Sequence, residues 1–323
     1  MKSYQFSHKF YQSSLLYHFI SIIIGMTISF SSYAKAENMH TTSTLLNNNI
    51  SKGKGKRVVD AQRITCEARL TENSTSIDSG VSWHIFDSIS NKKNTLSTTK
   101  KIIGGKVSFD LFPGDYLISA SFGHVGVVKK ITVSSKEKNQ KQVFILNAGG
   151  IRLYSIYKPG SPIVDDELTF SIYSNPNHKA LLITDKVRSG TLVRLGTNNY
   201  QITSHYGKYN AIVSTVVKVE PGKIIDVTIQ NRAAKITFKL VSEMGGEAVA
   251  DTAWSILTAS GDTVGESANA SPSMVLSEGD YTVIARNKER NYSREFSVLT
   301  GKSTIVEVLM RQKRMDKNGQ HNT

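Results

Sequence analysis

An internal repeat constrains this chain more than any other feature: two short motifs each recur three times, roughly 80 residues apart, which marks tandem supersecondary units. The first is Val81-Ser82-Trp83-His84-Ile85, matched by Leu168-Thr169-Phe170-Ser171-Ile172 and Thr252-Ala253-Trp254-Ser255-Ile256. Large side chains at every second position predict a strand that buries one face. The second is Pro113-Gly114-Asp115-Tyr116-Leu117-Ile118-Ser119-Ala120, matched by Thr197-Asn198-Asn199-Tyr200-Gln201-Ile202-Thr203-Ser204 and Glu278-Gly279-Asp280-Tyr281-Thr282-Val283-Ile284-Ala285. In each copy the tyrosine, the Ile or Val after it and the Ala or Ser beyond share the predicted inner face. Gly-Asp or Asn-Asn ahead of the tyrosine predicts a sharp turn into the strand.

The third copy can be followed end to end. Ile236, Phe238 and Leu240 alternate; Gly245-Gly246 supplies a turn; the tryptophan strand, short segments near Val264 and Ser273 to Leu276, the tyrosine strand, Tyr292 to Leu299 and Thr304 to Met310 complete it. Seven short strands with frequent turn signals predict an antiparallel sandwich. At 39% hydrophobic and 20% charged residues over 323 positions the composition is globular, which excludes a collagen, a wholly disordered chain or a multi-span membrane protein. One cysteine, Cys66, excludes an internal disulfide framework, so the units hold by burial.

The seven-strand tryptophan sandwich resembles the immunoglobulin plan without its cysteine pair. The segments Leu111-Phe112-Pro113-Gly114-Asp115-Tyr116 and Leu276-Ser277-Glu278-Gly279-Asp280-Tyr281 are similar to the L-x-P-G-x-Y turn of prealbumin-like modules, among them carboxypeptidase regulatory domains and Cna-B-type repeats. Residues 252 to 308 also resemble a stretch of uncharacterised exported proteins of rhizobial-type alphaproteobacteria. Together these resemblances imply an all-β protein of three tandem immunoglobulin-like or prealbumin-like β-sandwich units in a Gram-negative envelope. The expected divisions are 1–36 signal peptide, 37–63 flexible basic linker, 64–148, 149–232 and 233–310 sandwich units, and 311–323 disordered basic tail.

Export is read from the N-terminus. Lys2, His8 and Lys9 precede an apolar stretch from Leu15 to Phe30, and Ala34-Lys35-Ala36 places small residues where signal peptidase requires them. Cleavage is expected before Glu37, with Ser32-Tyr33-Ala34 as the second site and an uncleaved anchor as the alternative. The mature protein is then expected in the periplasm or secreted. The formal charge of +14 invites a nucleic-acid reading, yet much of it sits at the ends: Lys2, Lys9 and Lys35 in the signal, Lys52, Lys54, Lys56, Arg57 and Arg63 in the linker, Arg311, Lys313, Arg314 and Lys317 in the tail. The rest is spread thinly over the units, so no nucleic-acid partner is expected.

Catalytic and metal patterns are not expected either. Gly301-Lys302-Ser303 ends like a phosphate loop, but Phe296 stands where its first glycine belongs and no helix follows. His40, His84, His124, His178, His205 and His321 lack zinc-helix spacing, and Cys66 falls in a predicted strand as a small buried thiol. Asp165-Asp166-Glu167 offers oxygen to a hard cation and equally a solvated turn, the reading favoured without calcium-loop spacing. The Cna-B resemblance implies an internal Lys–Asn cross-link; Asn147 and Asn231 fit its asparagine, while the first strands of units one and two carry no lysine, and Lys235 and Lys239 face no terminal asparagine. Both asparagines are therefore expected as turn residues. No cofactor is expected.

What remains is surface. After the tyrosine strands, unit two continues with Tyr206, Lys208 and Tyr209, and unit three with Arg286, Lys288, Arg290, Tyr292 and Arg294. Aromatic and basic residues interleaved on a loop suit acidic polymer or glycan. The expected function is a non-catalytic envelope interaction module or spacer that binds acidic polymer, glycan or another envelope protein. The alternative is an accessory array or hydrolase whose site is assembled between units.

Overall fold

The computed structural model describes residues 60–87, 98–137, 139–174 and 180–310. The signal segment, most of the basic linker and the C-terminal tail lie outside the described residues. Every element within them is a β-strand, and no helix among them is long and apolar enough to cross a membrane.

The first sandwich is built from β1 (Gln62–Arg69), β2 (Val81–Asp87), β3 (Thr98–Gly104), β4 (Val107–Leu111), β5 (Gly114–Phe122), β6 (Val125–Val133) and β7 (Gln140–Ile145). The second has β8 (Ala148–Lys158), the two-residue β9 (Ser161–Pro162), β10 (Leu168–Tyr173), β11 (Leu182–Val187), β12 (Leu192–Gly196), β13 (Asn198–Tyr206), β14 (Ile212–Val219) and β15 (Ile224–Gln230). The third comprises β16 (Ala233–Val241), β17 (Thr252–Thr258), β18 (Thr263–Ser267), β19 (Ser273–Ser277), β20 (Gly279–Asn287), β21 (Arg290–Val298) and β22 (Thr304–Leu309).

One topology is drawn three times. Each sandwich has one sheet built on the order β4-β1-β7, β12-β8-β15 or β19-β16-β22, the second of these gaining the short β9 as a fourth strand on β8, and a four-stranded sheet, β3-β2-β5-β6, β11-β10-β13-β14 or β18-β17-β20-β21. In each, the first and last strands run parallel, which brings the two ends of the unit side by side. The edge strands β3, β11 and β18 all carry a register shift against their neighbour, a bulge that discourages pairing with a foreign strand. Among the described residues, compact packing groups those up to Gly149 with Arg194–Gly196, and those from Gly150 to Val193 with those from Thr197 onward, so the second sandwich, apart from Arg194–Gly196, and the third share one unit.

Both repeated motifs sit at equivalent places. Trp83, Phe170 and Trp254 are buried opposite Ala120, Ser204 and Ala285 on the tyrosine strands. Trp83 meets Phe144 edge to face at 5.1 Å in the first core, and Phe238 packs on Trp254 in the third. Before Tyr200 the Asn199 N–H donates to Asn198 Oδ1 at 2.8 Å, as the sequence predicts, while the turns before Tyr116 and Tyr281 are closed by the tyrosines. The Tyr116 hydroxyl donates to the Phe112 carbonyl at 3.0 Å and Tyr281 to that of Ser277 at 2.9 Å, while Asp115 and Asp280 accept across the ladder from Thr132 and Ser297. In the first and third sandwiches the tyrosine itself latches its turn, its hydroxyl reaching back four residues to a backbone carbonyl.

The register also corrects the pairing of the two asparagines. Leu146, Asn231 and Met310 are the equivalent residues, each donating its N–H to the chain end of the first strand, at Arg69, Ile156 and Val241. Asn147 lies one position on, exposed, in a left-handed conformation at φ 47°, and is a turn residue. Asn231 is instead 1% exposed in a core position. Its Nδ2 donates to Ser155 Oγ and Ser204 Oγ, both at 2.7 Å, and Ser155 passes its own proton to the Ile229 carbonyl at 2.8 Å. Where the second sandwich has Ser155, Ser204 and Asn231, the first has Ala68, Ala120 and Leu146 and the third Leu240, Ala285 and Met310.

Candidate functional site

The hairpin that follows each tyrosine strand carries all eight residues singled out from sequence, and the second and third sandwiches use it in opposite ways. In the second, the loop from Gly207 to Ala211 joins β13 to β14, and its one aromatic residue, Tyr209, is turned onto the third sandwich, while Tyr206 at the end of β13 is held within the second. Tyr206 is 2% exposed, with its hydroxyl 2.8 Å from that of Tyr157 and donating to Asp165 Oδ2 at 3.2 Å. Burial, reinforced by the Tyr157 bond, pushes its pKa upward. Tyr209 is half-buried against the third core and lies on Gly265, where a Cβ would stand 2.3 Å from the ring. Gly207, at φ 75°, lies against Val275 with room for no side chain. Lys208 is exposed.

Asn210 completes this clasp. Its Nδ2 donates to the Tyr281 hydroxyl at 2.8 Å and its Oδ1 accepts from the Ser277 N–H at 3.0 Å. Lys235, on the first strand of the third sandwich, reaches Asp165 at 3.0 Å and Glu167 at 2.8 Å. The acidic turn is exposed at Asp166 and Glu167, as a solvated turn is expected to be, and is ion-paired as well: Asp165 and Glu167 hold Lys235, and Asp166 pairs with Arg188. Burial alone would raise Asp165, but the Glu167 N–H, Lys235 and Tyr206 hold it below the usual carboxylate range; Glu167 and then Asp165 raise Lys235. Asp165 therefore contributes stability above about pH 4 that is lost as pH falls through its lower folded value, and Lys235 contributes below about pH 10 and loses it as pH rises through its higher one. Melting curves of the chain and of Lys235→Met should diverge between those limits and converge in acid. Curves that keep a constant gap down to pH 2 would exclude this pairing as the source.

In the third sandwich the hairpin is two residues long and its tip is charged. Lys288 takes the left-handed conformation at φ 55°, and Arg286, Lys288 and Arg290 are all exposed. Asn287 is tied inward, donating to the Ala250 and Asp251 carbonyls at 2.8 and 3.1 Å. Tyr292 is buried at 7% exposure, and Arg294 is turned to the other side of the ladder, donating to the Glu307 carbonyl. The structure therefore leaves Arg286, Lys288 and Arg290 exposed around one hairpin with Glu289 at its tip, Arg290 lying on the side of the ladder that Tyr292 and Arg294 share and Arg286 on the other, while Tyr206 and Tyr209 belong to the second sandwich.

Two buried side chains, Cys66 and Ser171, carry nucleophilic groups. Cys66 is fully buried and its thiol is pushed up to about 12 by burial, with Lys129 opposing weakly. It should not react with alkylating reagents at pH 8 in the folded chain, and fast labelling without denaturant would contradict its placement. Ser171, Asp185 and His205 meet on the outer face of the second sandwich. Ser171 gives its proton to Asp185 at 2.8 Å, and His205 Nε2 lies 3.1 Å from the same oxygen. One hydroxyl has one proton, so His205 is here the donor, and the arrangement lacks the serine-to-histidine transfer that activates a nucleophile. Among the described residues no three His, Cys, Asp or Glu side chains gather as a metal site.

Residues 235–310, the third sandwich, match the family model described as the Rhizobiales growth-associated tandem repeat domain. Comparison with curated protein sequences returned no match. Among solved structures, the chain is similar to the TIE protein of Bacillus anthracis at 15% identity, over 77% of this chain and about half, 51%, of that one, with a TM-score of 0.24. It is also similar to GBS52, the minor pilin of Streptococcus agalactiae, at 14% identity over 53% and 95% of the two chains with a TM-score of 0.27. A third is BcpA, the major pilin subunit of Bacillus cereus, at 10% identity over 77% and 99% with a TM-score of 0.22.

Proposed function

We propose that this protein is an exported, non-catalytic envelope module in which units 64–148, 149–232 and 233–310 act as a spacer and the last unit offers a basic contact to an acidic polymer. One observation carries the reading: the second sandwich spends its hairpin on its neighbour, whereas Arg286, Lys288 and Arg290 on the equivalent hairpin of the third stay exposed. Three exposed cations around a two-residue hairpin, against the one acid Glu289 at its tip, offer a polyanion a contact already held by the sheet. The signal segment supports export, and N-terminal sequencing of the cell-derived protein is expected to begin at Glu37.

The contact is tested by retention on immobilised polygalacturonate against neutral dextran at low salt. The chain should be retained on the acidic matrix and released by salt. Arg290→Ala should weaken retention while changing stability by no more than about 0.5 kcal/mol. Equal behaviour on both matrices, or retention indifferent to Arg290→Ala and Lys288→Ala together, would remove this hairpin from the function.

A further inference from the structure

The second sandwich leaves one edge of its four-stranded sheet open. Among the described residues β14 pairs only with β13, over eight rungs and without a register shift. The Tyr206 N–H bonds the Ala211 carbonyl at 3.0 Å, so alternation along the ladder turns the N–H and C=O groups of Ile212, Ser214, Val216 and Lys218 away from β13. Of these groups the Ile212 N–H is taken locally, by the Asn210 carbonyl at 2.9 Å. The same four side chains are exposed, and two are large and apolar, Ile212 at 51% and Val216 at 55%. The equivalent edge is blunted by charge in the other sandwiches, by Lys129 and Lys130 within β6 and by Arg294 and Glu295 within β21. The opposite edges, β3, β11 and β18, carry bulges. β14 has neither device, since its one charge, Lys218, stands next to its end.

We propose that β14 is a self-association edge, where β14 of a second copy pairs antiparallel about a two-fold axis perpendicular to the sheet. The strand is its own complement about Ser214. With the axis there, the two Ser214 residues bond each other in both directions and each Val216 N–H reaches the other copy's Ile212 carbonyl. Ile212 then stands beside Val216 twice on the outer face, so the two exposed apolar residues cover each other. An axis at Thr215 would set Ile212 beside Lys218, and one at Val216 would set it beside Glu220, so the apolar pattern selects a single register. Charge agrees with it, because the Lys218 residues of the two copies are carried to opposite ends of the pairing. Each runs toward the other copy's hollow of about 490 Å³, lined by Ile212, Val213, Arg232 and Glu278, which leaves room for that end of the strand. Two four-stranded sheets become one of eight strands, and the isologous contact closes without leaving β14 free to pair further. Association does not depend on the polymer reading and is tested without polymer.

Sedimentation velocity of the purified chain from about 1 to 200 µM should show a reversible monomer–dimer equilibrium that persists at about 500 mM salt, because backbone bonds and apolar contact carry it. Val216→Lys should weaken dimerisation at least about tenfold, since each ammonium falls beside Ile212 of the other copy. Adding Ile212→Glu should restore it to within about threefold of the original, because this register alone sets the new carboxylate beside the new ammonium twice. Ser214→Cys should give a covalent dimer on mild oxidation, its Cα atoms lying about 5.5 Å apart across the axis, whereas Lys218→Cys should not. Cys66 is buried and stays silent. Thermal melts confirm that each variant folds. A chain monomeric throughout, a dimer indifferent to Val216→Lys, a double change that fails to recover, or Lys218→Cys cross-linking as fast as Ser214→Cys would each overturn the proposal.

Discussion

Replacing Tyr281 with alanine is expected to cost about 3 to 5 kcal/mol, the range for large aromatic truncations in a core. The ring is 5% exposed and stacked on Phe296 at 5.7 Å, and its hydroxyl joins three groups. It donates to the Ser277 carbonyl and accepts from Asn210 and from the Ser277 hydroxyl. Tyr281→Phe keeps the ring and removes only these bonds, so about 1 to 2 kcal/mol is expected. Both changes loosen the clasp, since Asn210 belongs to the second sandwich. Denaturant melts of the full chain should then separate into an early transition for the third sandwich and a later one for the rest. A Tyr281→Ala chain within about 1 kcal/mol of the original would mean that the tyrosine latch contributes nothing to the sandwich.

The second expected result concerns the polar cluster in the second core. Asn231→Leu installs the residue type found at Leu146 in the first sandwich, yet on its own it should destabilise by about 1 to 3 kcal/mol, because Ser155 and Ser204 lose their donor inside the core. The triple change Ser155→Ala, Ser204→Ala and Asn231→Leu removes every member and reproduces Ala68, Ala120 and Leu146. It should be neutral or up to about 2 kcal/mol more stable than the original, since all the buried polar groups leave together. The Oδ1 of Asn231, buried with no partner, adds to the expected gain. Urea melts of the single and triple variants decide it, and a triple variant less stable than the single one would show that the cluster holds the sandwich together.

The strand pattern was legible in sequence because its cause is local. Alternation around Trp83, Phe170 and Trp254 follows from the pleat alone, and so does the inner face shared by Tyr281, Val283 and Ala285. What was not legible was how the exposed positions are spent. Tyr206, Lys208 and Tyr209 look like Arg286, Lys288 and Arg290 on paper, as polar and aromatic residues after a tyrosine strand. Only the neighbour's position shows that Tyr209 lies on Gly265, and only a glycine there leaves room for the ring. A signal did exist: the second hairpin is longer than the third, and its extra length includes Tyr209 and Asn210.

The asparagines divide in the same way. Asn147 and Asn231 close their units with similar-looking sequences, and a one-residue difference in register makes one a turn and the other a core residue, because side chains alternate between faces along the strand. The sequence by itself determined the all-β class, the threefold repetition and the residues of each inner face, since periodic burial is written along the chain. Tertiary structure alone decided that Asp165 and Glu167 hold Lys235 and that Asn210 reaches Tyr281. These outcomes join residues far apart in the chain, and their energies depend on distances and on exclusion of water that only the assembled sheets create.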